Sequence, residues 1–178
     1  MTRREQILDT AAELFAARGF HGVSVADIGA ACGISGPALY KHFASKDAVL
    51  AEMLVSISEH LLAGGQARGA LAELVDFHVD FALRHRALIV VQDRDWSSLP
   101  PEARERVRSL QREYVDVWAA RLRDVQPHLG LDPARARAHA AFGLINSTPH
   151  SGLLPDPEMA ALLHTMALSA LGSTTAAG

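Results

Sequence analysis

Apolar side chains recur at intervals of three and four residues along most of the chain, which is the period of an amphipathic α-helix. Such stripes run through residues 7–15, 50–61, 71–82 and 107–122. The spacing predicts an all-α protein with about nine helices in total. Residues 88–91 are a run of branched aliphatic side chains that a β-strand would also accept. A strand there is the alternative to the helix that we expect over residues 86–95.

The first two helices carry start signals at their amino ends. Thr2 and Glu5 have the spacing of a capping box, in which each side chain bonds the backbone N–H of the other residue. Ser24 and Asp27 repeat that spacing before the second helix. Gly33 is the expected end of the second helix, because glycine takes the left-handed backbone conformation of a helix stop without steric cost.

A third short helix follows this turn. Ser35 can cap it, Pro37 suits its first turn, and Leu39 and Phe43 give it one buried face. We expect this helix to run over residues 36–43. Two short helices joined by a turn that contains glycine form a helix-turn-helix, and the second helix of such a pair can enter the DNA major groove.

Composition by itself does not indicate a nucleic-acid-binding protein. The chain of 178 residues has a formal net charge of −3, and its first fifty residues hold five basic and five acidic side chains. Any DNA contact must therefore come from the positions of individual donors within the motif. The single cysteine, Cys32, excludes an internal disulfide. A small buried side chain is expected there, with a redox sensor as the alternative.

Nothing in the pattern indicates a membrane protein. No apolar run approaches the roughly 18 residues that span a bilayer. Glu5, Asp9 and Glu13 make the amino end unlike a signal peptide. We therefore expect a cytoplasmic protein without membrane association.

Catalytic and metal-binding patterns are not found in the sequence. The nine histidines include no pair with the spacing of a helical metal site, and no P-loop, dinucleotide or nucleophile-elbow motif occurs. We expect no enzyme activity and no cofactor. A metal-responsive regulator with His78, His85 or His150 as ligands is the alternative.

The rest of the chain predicts a helical body. Ser45 can cap a long helix that ends at Gly64-Gly65, and the body then begins near residue 68. Residues 96–101 interrupt the helices with two prolines before a long amphipathic helix over residues 102–125. Rotation of the helix after Ser45 would move the amino-terminal helices, which makes it the natural mechanical link between the two parts.

Two helices rich in alanine and leucine complete the chain. Asp132-Pro133 and Asp156-Pro157 each have the pattern of an acidic cap followed by a first-turn proline. They predict helices over roughly residues 134–150 and 158–172, followed by a frayed tail over residues 172–178. Small side chains allow close helix packing, which suits a four-helix dimer interface. The alternative is that both helices only complete the core of the monomer.

The amino-terminal motif resembles the DNA-binding domain of TetR-family transcriptional regulators. The resemblance lies in Ile28-Gly29-x-x-Cys32-Gly33-Ile34-Ser35 followed by Leu39-Tyr40-x-His42-Phe43-x-Ser45-Lys46. It covers about the first fifty residues, and it implies a helix-turn-helix DNA-binding domain over residues 1–46. Residues 47–178 would then form a helical domain for ligand binding and dimerisation.

The resemblance and the helix-turn-helix geometry together imply a set of DNA-contacting residues. They are Ser24, Ser35, Gly36, Pro37, Ala38, Tyr40, Lys41, His42 and Lys46. Tyr40, Lys46 and Ser24 would contact phosphates, and Ala38 could meet a thymine methyl group. Lys41 would read guanine or bind phosphate, and His42 would bind phosphate or pack internally. Pro37 departs from the family, which often has a polar or basic residue near this position.

Members of this family usually hold a ligand among their central helices. Candidate lining residues here are Phe77, Phe81, Val91, Trp96, Tyr114, Trp118, Phe142, Asn146 and His150. Each aromatic ring could equally be plain core. Pro149 should stop or kink its helix because it lacks an N–H. Asn146 and His150 would then offer polar groups inside an apolar pocket.

The resemblance implies a homodimer that binds double-stranded DNA at a palindromic operator and pairs through its last two helices. A small, largely apolar effector would release this nucleoid-associated repressor. Segments 96–102 and 146–150 are similar to those of TetR-like regulators of lipid or acyl-CoA metabolism. The alternative is a DNA-binding dimer without a small-molecule ligand, whose body serves only for dimerisation or for protein partners.

Overall fold

The computed structural model describes residues 2–172 and is all-helical over that range. Nine α-helices follow one another in these residues: α1 Arg3–Arg18, α2 Val25–Ala31, α3 Gly36–Leu39, α4 Lys46–Gln66, α5 Leu71–Arg84, α6 Arg86–Asp95, α7 Pro101–Val125, α8 Leu131–Ile145 and α9 Asp156–Ala170. Single turns of 3-10 helix lie at Trp96–Ser98 and Thr148–His150. The predicted all-α class is confirmed, and the strand alternative for residues 88–91 is wrong. The predicted frayed tail lies outside the described residues except for Gly172.

The packing groups the chain into two compact units. The first unit contains residues 1–57 and 87–108, and the second contains residues 58–86 and 109–178. Both α4 and α7 therefore contribute residues to each unit. The boundary that the sequence predicts after residue 46 falls within the first unit, and it stays a prediction.

The first unit has a continuous apolar core. Its fully buried side chains include Ile7, Phe15, Ile28, Leu39, Leu50, Leu54 and Val91. Phe20 and Phe43 are also buried, and the Phe15 and Phe20 rings meet edge to face with centroids 5.3 Å apart. The sequence-based expectation that Phe15, Phe20, Leu39 and Phe43 share a small core is confirmed. This core fixes the α2 and α3 helices against α1.

The carboxyl ends of α3 and α4 differ from the sequence-based prediction. The α3 helix closes at Leu39 rather than at Phe43, and the chain continues in tighter turns with Lys41 N–H donating to Ala38 O at 3.2 Å. These turns carry the buried Phe43 ring into the core. The α4 helix does not end at Gly64-Gly65 but continues to Gln66.

The two glycines instead admit aromatic rings against α4. A Cβ at Gly64 would lie 2.1 Å from Phe77 Cζ, and one at Gly65 would lie 2.6 Å from Tyr114 Cε2. Real Cβ atoms do not approach other atoms so closely. Gly64 and Gly65 therefore serve close packing, at the cost of roughly 1 kcal/mol each in helix propensity.

The caps of the last two helices also differ from the prediction. Gly130 is the N-cap of α8, and Asp132 lies in its first turn. Pro155 is the N-cap of α9, and the carboxylate of Asp156 pairs with Arg86 at 2.6 Å. The prediction mistook acids in the first turn for caps, because both positions favour a negative charge. The α8 helix ends at Ile145, so a stop ahead of Pro149 is confirmed, but the predicted extension to about residue 150 is wrong because residues Thr148–His150 form a separate 3-10 turn.

One helix contradicts the expectation that no segment could span a bilayer. Among residues 2–172, α4 is long and apolar enough to do so by length and composition. The first turns of α4, however, are packed inside the protein, because Val49, Leu50, Met53 and Leu54 are buried in the core of the first unit. A core helix of a folded helical protein passes the same test, and we interpret α4 in that way.

Candidate DNA-binding surface and effector site

The turn between α2 and α3 is set by backbone atoms. The N–H of Ile34 donates to Gly29 O at 2.9 Å, and the N–H of Gly33 donates to Ala30 O at 3.1 Å. With Gly33 at φ 67°, these bonds form a Schellman motif. A Cβ at Gly29 would lie 2.9 Å from Ile34 O, so only glycine fits there. Backbone bonds therefore set the turn, and the buried Leu39 side chain completes the packing of α3.

Beyond this turn, six predicted DNA-contacting residues lie together on one stretch. We name this stretch the recognition edge: Ser35, Gly36, Pro37, Ala38, Tyr40 and Lys41. Ser35 Oγ accepts a hydrogen bond from the N–H of Ala38 at 3.3 Å and so caps α3. The Tyr40 side chain is 55% exposed, although tyrosine usually buries most of its ring.

Tyr40 and Lys41 have free polar groups. Within residues 2–172, neither the Tyr40 hydroxyl nor the Lys41 ammonium makes a hydrogen bond or an ion pair. The Tyr40 hydroxyl can therefore donate or accept a bond with another molecule, and the Lys41 ammonium can donate. Such donors on a rigid support match what phosphate contacts require.

Ser24 is committed to its own helix. Its hydroxyl donates to Asp27 Oδ2 at 2.6 Å and accepts from the Asp27 N–H at 3.1 Å. The bonds from the Ser24 side chain and backbone hold the pKa of the Asp27 carboxyl below its usual range, and Arg18 adds a smaller effect. The predicted capping box is confirmed. A phosphate contact from the Ser24 hydroxyl would have to compete with this carboxylate.

Lys46 is also engaged inside the first unit. Its ammonium donates to Phe20 O at 2.7 Å and to Val23 O at 2.8 Å, and it lies 4.2 Å from the centre of the Phe20 ring. Two of its three N–H donors are thus used to close the loop between α1 and α2. The phosphate contact that the resemblance implies would draw on the third.

Two arginines, whose long-range contacts the sequence does not predict, hold this unit together. The guanidinium of Arg4 donates to His42 O and to the Glu52 carboxylate, and it covers the Phe43 ring at 4.2 Å. The hydrogen bond from Arg4 to the backbone carbonyl of His42 holds His42 at the end of the recognition edge. No local spacing in the sequence signals a contact between residues 4, 42 and 52.

Arg94 joins α6 to the carboxyl end of α1. Its guanidinium donates to Phe15 O, which also accepts from the N–H of Gly19 at 2.8 Å, and it donates at 3.1 Å to Ala16 O in the last turn of the helix. The nearly buried Asp95 pairs with Arg94 at 3.2 Å. This pair positions α6 on the helix that supports the recognition edge.

The second unit brings together most of the predicted effector-site residues. We name this cluster the aromatic box: His78 and Phe81 on α5, Tyr114 and Trp118 on α7, Phe142 on α8, and Asn146 just after it. The Tyr114 and Phe142 rings stack at 5.4 Å with an interplanar angle of 6°, and the His78 ring stacks on Phe142 at 4.8 Å. The Trp118 ring meets Phe142 edge to face at 4.9 Å.

His78 is the polar centre of the aromatic box, although the sequence suggests it only as a metal ligand and not as a lining residue of an apolar effector site. Its Nδ1 lies 3.1 Å from the Tyr114 hydroxyl, and its Nε2 lies 3.1 Å from Asn146 Oδ1. Burial lowers the pKa of His78 from 6.5 to about 4, so the ring is neutral near pH 7. Burial also raises the pKa of the Tyr114 phenol. The signal that could have found His78 is its position on the buried stripe of α5.

Four predicted lining residues lie elsewhere. Val91 is fully buried in the core of the first unit, and Trp96 packs against the same core. The Arg108 guanidinium lies 5.6 Å from the centre of the Trp96 ring. Phe77 packs on Gly64 under the Arg68 guanidinium at 4.0 Å. His150 is exposed in the 3-10 turn after α8. The sequence grouped these residues by type, which does not determine whether they meet in space.

The metal alternative finds no support in the described part of the chain. No group of three histidine, cysteine or acidic side chains is placed to hold a metal ion in residues 2–172. His78 bonds Tyr114 and Asn146 instead of another metal-binding side chain.

The last two helices expose apolar side chains. Leu131 on α8 and Leu162 and Met166 on α9 are 41%, 43% and 46% exposed. Small residues accompany them, since Ala136, Ala140 and Gly143 on α8 are exposed as well. The prediction that these two helices pair in a dimer stays a prediction.

Comparison with known families accounts for both parts of the chain. Residues 7–53 match the family described as bacterial regulatory proteins, tetR family. Residues 64–171 match the tetracyclin repressor-like C-terminal domain. The second match alone covers more than half of the chain.

Individual relatives agree with these matches. The chain is 31% identical over 125 residues to the HTH-type transcriptional repressor KstR2 of Rhodococcus jostii, covering 65% of this chain and 61% of that one. The crystal structure of a TetR-family transcriptional regulator from Bordetella parapertussis is similar with a TM-score of 0.80, 26% identity and 93% coverage of both chains. AibR in complex with isovaleryl coenzyme A and operator DNA shares the fold at a TM-score of 0.74 and 22% identity, covering 93% of this chain and 97% of that one.

Proposed function

Because this chain belongs to the TetR family of bacterial transcriptional regulators, we propose that it is a dimeric repressor released from a palindromic operator by a small, largely apolar effector. Family members and relatives are regulators and not enzymes. Repression is the activity named for the relative KstR2. The site of action would be chromosomal DNA, in the cytoplasm and at the nucleoid.

The recognition edge is the observation that carries the DNA-binding proposal. Tyr40 and Lys41 extend from a turn whose geometry is fixed by Gly29 and Gly33. A rigid support lowers the entropy cost of placing these donors on DNA. Ala38 and Pro37 lack side-chain hydrogen-bonding groups, so they allow close approach to base edges, and Lys41 supplies the charged contact.

Dimerisation would place two recognition edges in successive major grooves. The exposed Leu162 and Met166 on α9, with the small residues of α8, support pairing through these two helices. A twofold dimer requires a palindromic site, because each half-site contacts an identical recognition edge.

The aromatic box supports the effector part of the proposal. Ligand sites are predominantly apolar and contain a few placed polar groups, which is the composition of this box. The named ligand of AibR is an acyl-coenzyme A, and a lipid or acyl-CoA compound is the class that we propose here. The second candidate, a DNA-binding dimer without an effector, is favoured by the fact that Tyr114 and Phe142 already stack on each other.

Selection of genomic fragments by the purified protein tests the DNA-binding function. We expect enrichment of a palindrome with half-sites one helical turn apart, and steep weakening of binding with salt. Fragments enriched without a common motif, or no enrichment at low salt, would refute the proposal. The genes beside the bound sites would indicate the effector class.

Substitutions on the recognition edge sharpen this test. Tyr40→Phe should weaken binding to all sequences alike by about fivefold, because it removes one donor to phosphate. Lys41→Ala should relax the preference at one base pair if Lys41 reads guanine, and should only flatten the salt dependence if it binds phosphate. The charge-matched control is Arg84→Ala, an exposed arginine in the second unit. Equal binding by all three variants in anisotropy titrations would exclude the recognition edge as the contact surface.

A further inference from the structure

The hydrogen bonds of the aromatic box follow one direction. Asn146 Oδ1 faces His78 Nε2, so this nitrogen carries the proton and donates it. His78 Nδ1 is then an acceptor, and the Tyr114 hydroxyl donates to it. His78 Nδ1 and Asn146 Oδ1 are therefore both engaged as acceptors, while the Tyr114 oxygen keeps its own lone pairs.

Two donors at the same place are left without a partner. The indole N–H of Trp118 is fully buried and makes no hydrogen bond to any residue in the range 2–172. A polar interaction with Trp118 lowers the pKa of the Tyr114 phenol, against the larger effect of burial, but the two groups do not meet the geometry of a hydrogen bond. The amide nitrogen of half-buried Asn146 also has no partner among the described residues.

An unpaired buried donor is costly. Leaving one without a partner costs about 1–3 kcal/mol, so such groups in folded proteins generally have a function or an unseen partner. Trp118 and Asn146 both adjoin His78 and Phe142: Trp118 contacts both rings, and Asn146 bonds His78 one helical turn after Phe142. Thr148 holds this end of α8 on α5 by donating to Ala82 O at 2.8 Å.

The charges around the box disfavour an ionic group inside it. His78 is neutral near pH 7 because burial lowers its pKa to about 4. The positive charge of Arg68 lowers the pKa of the Tyr114 phenol, against the larger effect of burial. Its guanidinium is already engaged by the Phe77 ring and by Gly64 O at 2.7 Å. A carboxylate placed among the box's rings would lose its hydration without gaining an unpaired cation there.

We propose that the effector is an uncharged, flat ring compound with a carbonyl oxygen, which accepts hydrogen bonds from Trp118 Nε1 and from the amide nitrogen of Asn146 while its ring packs against the box. This inference rests on the effector part of the proposed function and, of the lipid and acyl-CoA compounds named there, selects an uncharged lipid-like ring compound. A buried indole N–H without a partner, next to the amide nitrogen of Asn146, favours a ligand that accepts hydrogen bonds. The rings of Tyr114, Phe142 and Trp118 favour a flat partner.

Four probes with one ring system test this chemistry on the full chain: acetonaphthone, ethylnaphthalene, naphthoate and naphthylmethylamine. Binding is measured by calorimetric titration and by thermal shift. The ketone should bind about tenfold more tightly than the hydrocarbon, which lacks the acceptor. Both ions should bind more weakly than the ketone. Equal binding of ketone and hydrocarbon, tighter binding of either ion, or no binding of any probe would overturn the proposal.

The variant Trp118→Phe keeps a ring and removes only the donor. It should lower the affinity for acetonaphthone about tenfold and leave ethylnaphthalene unchanged. Trp96→Phe is the matched control, because the same atoms are removed in the first unit. An unchanged ketone affinity in Trp118→Phe refutes the assigned donor. If Trp118→Phe unfolds, Asn146→Asp, which removes the amide donor, is measured instead with the same expected selective loss.

DNA binding is measured separately on the selected genomic fragment. Failure of the unliganded protein to bind any fragment would refute the proposed function, whereas the calorimetric comparison would still decide the ligand chemistry. Release of the fragment by acetonaphthone, and not by ethylnaphthalene at equal concentration, is the result expected if both hold.

Discussion

The helix-turn-helix and the aromatic box differ in the range of the interactions that build them. The α2–turn–α3 segment is set by bonds between residues three to five apart, such as Ser24 with Asp27 and Gly29 with Ile34. The box is set by contacts between residues far apart in sequence, such as His78 with Tyr114 and Asn146. Local bonds define a rigid surface in a short segment, whereas a buried box requires three helices to be in place at once.

The comparison predicts unequal costs of perturbation. A lost cap in the first unit removes one local bond. A change in the box disturbs packing and burial together. We therefore expect the larger losses of stability in the second unit.

The largest effect should come from protonation of His78. Its pKa is 6.5 in an unfolded chain and about 4 in the folded one, so the unfolded state binds the proton more readily between these values. Stability is fully present above pH 6.5 and falls as the pH decreases towards 4, by roughly 3 kcal/mol for this group. Urea unfolding at a series of pH values measures the loss.

The variant His78→Gln supplies the comparison for this pH dependence. It cannot titrate, so its stability should vary less than that of the unaltered chain between pH 6.5 and 4. Identical pH profiles for the two proteins would mean that His78 is not buried in its neutral form.

A methyl group at Gly65 should have the next largest effect. It would lie 2.6 Å from Tyr114 Cε2, and the Tyr114 ring cannot turn away without breaking its bond to His78. We expect Gly65→Ala to destabilise the protein by about 2 kcal/mol, since overpacking outweighs the gain in helix propensity. Gly69→Ala is the control, because no atom lies within 4 Å of that position. Similar unfolding midpoints for the two variants would contradict the close packing of Tyr114 on α4.

Loss of a local cap should cost least. Ser24→Ala removes the acceptor for the Asp27 N–H and should destabilise the protein by about 1 kcal/mol. Chemical denaturation measures the change, and Ser24→Thr should restore most of it. A loss larger than that of Gly65→Ala would reverse the comparison between the two regions.

The sequence predicted the parts of the fold that depend on local chemistry. Both capping boxes, the glycine stop at Gly33, and the helix end before Pro149 are confirmed, because each is decided by a few neighbouring residues. The family motif can also be recognised from the sequence, because its residues lie within one short segment, from Ile28 to Lys46.

Long-range partners were not predictable in this way. Arg94 donates to a carbonyl at the end of α1, and Lys46 donates to Phe20 O and Val23 O. These bonds depend on how the helices pack against each other, which no local pattern specifies. Gly64-Gly65 was interpreted as a helix end because glycine is common there, and the rings that require it lie on other helices. His78 stayed outside the expected effector site for the same reason.

The fixed turn at Gly29 and Gly33 bears on how such a regulator acquires new target genes. Because the backbone bonds of the turn and the buried Leu39 and Phe43 side chains hold α3, positions 37, 38 and 41 can accept other side chains without loss of their scaffold. A library randomised at these three positions should yield folded proteins with altered operator preference. The turn thus separates what must be kept in evolution from what is free to vary.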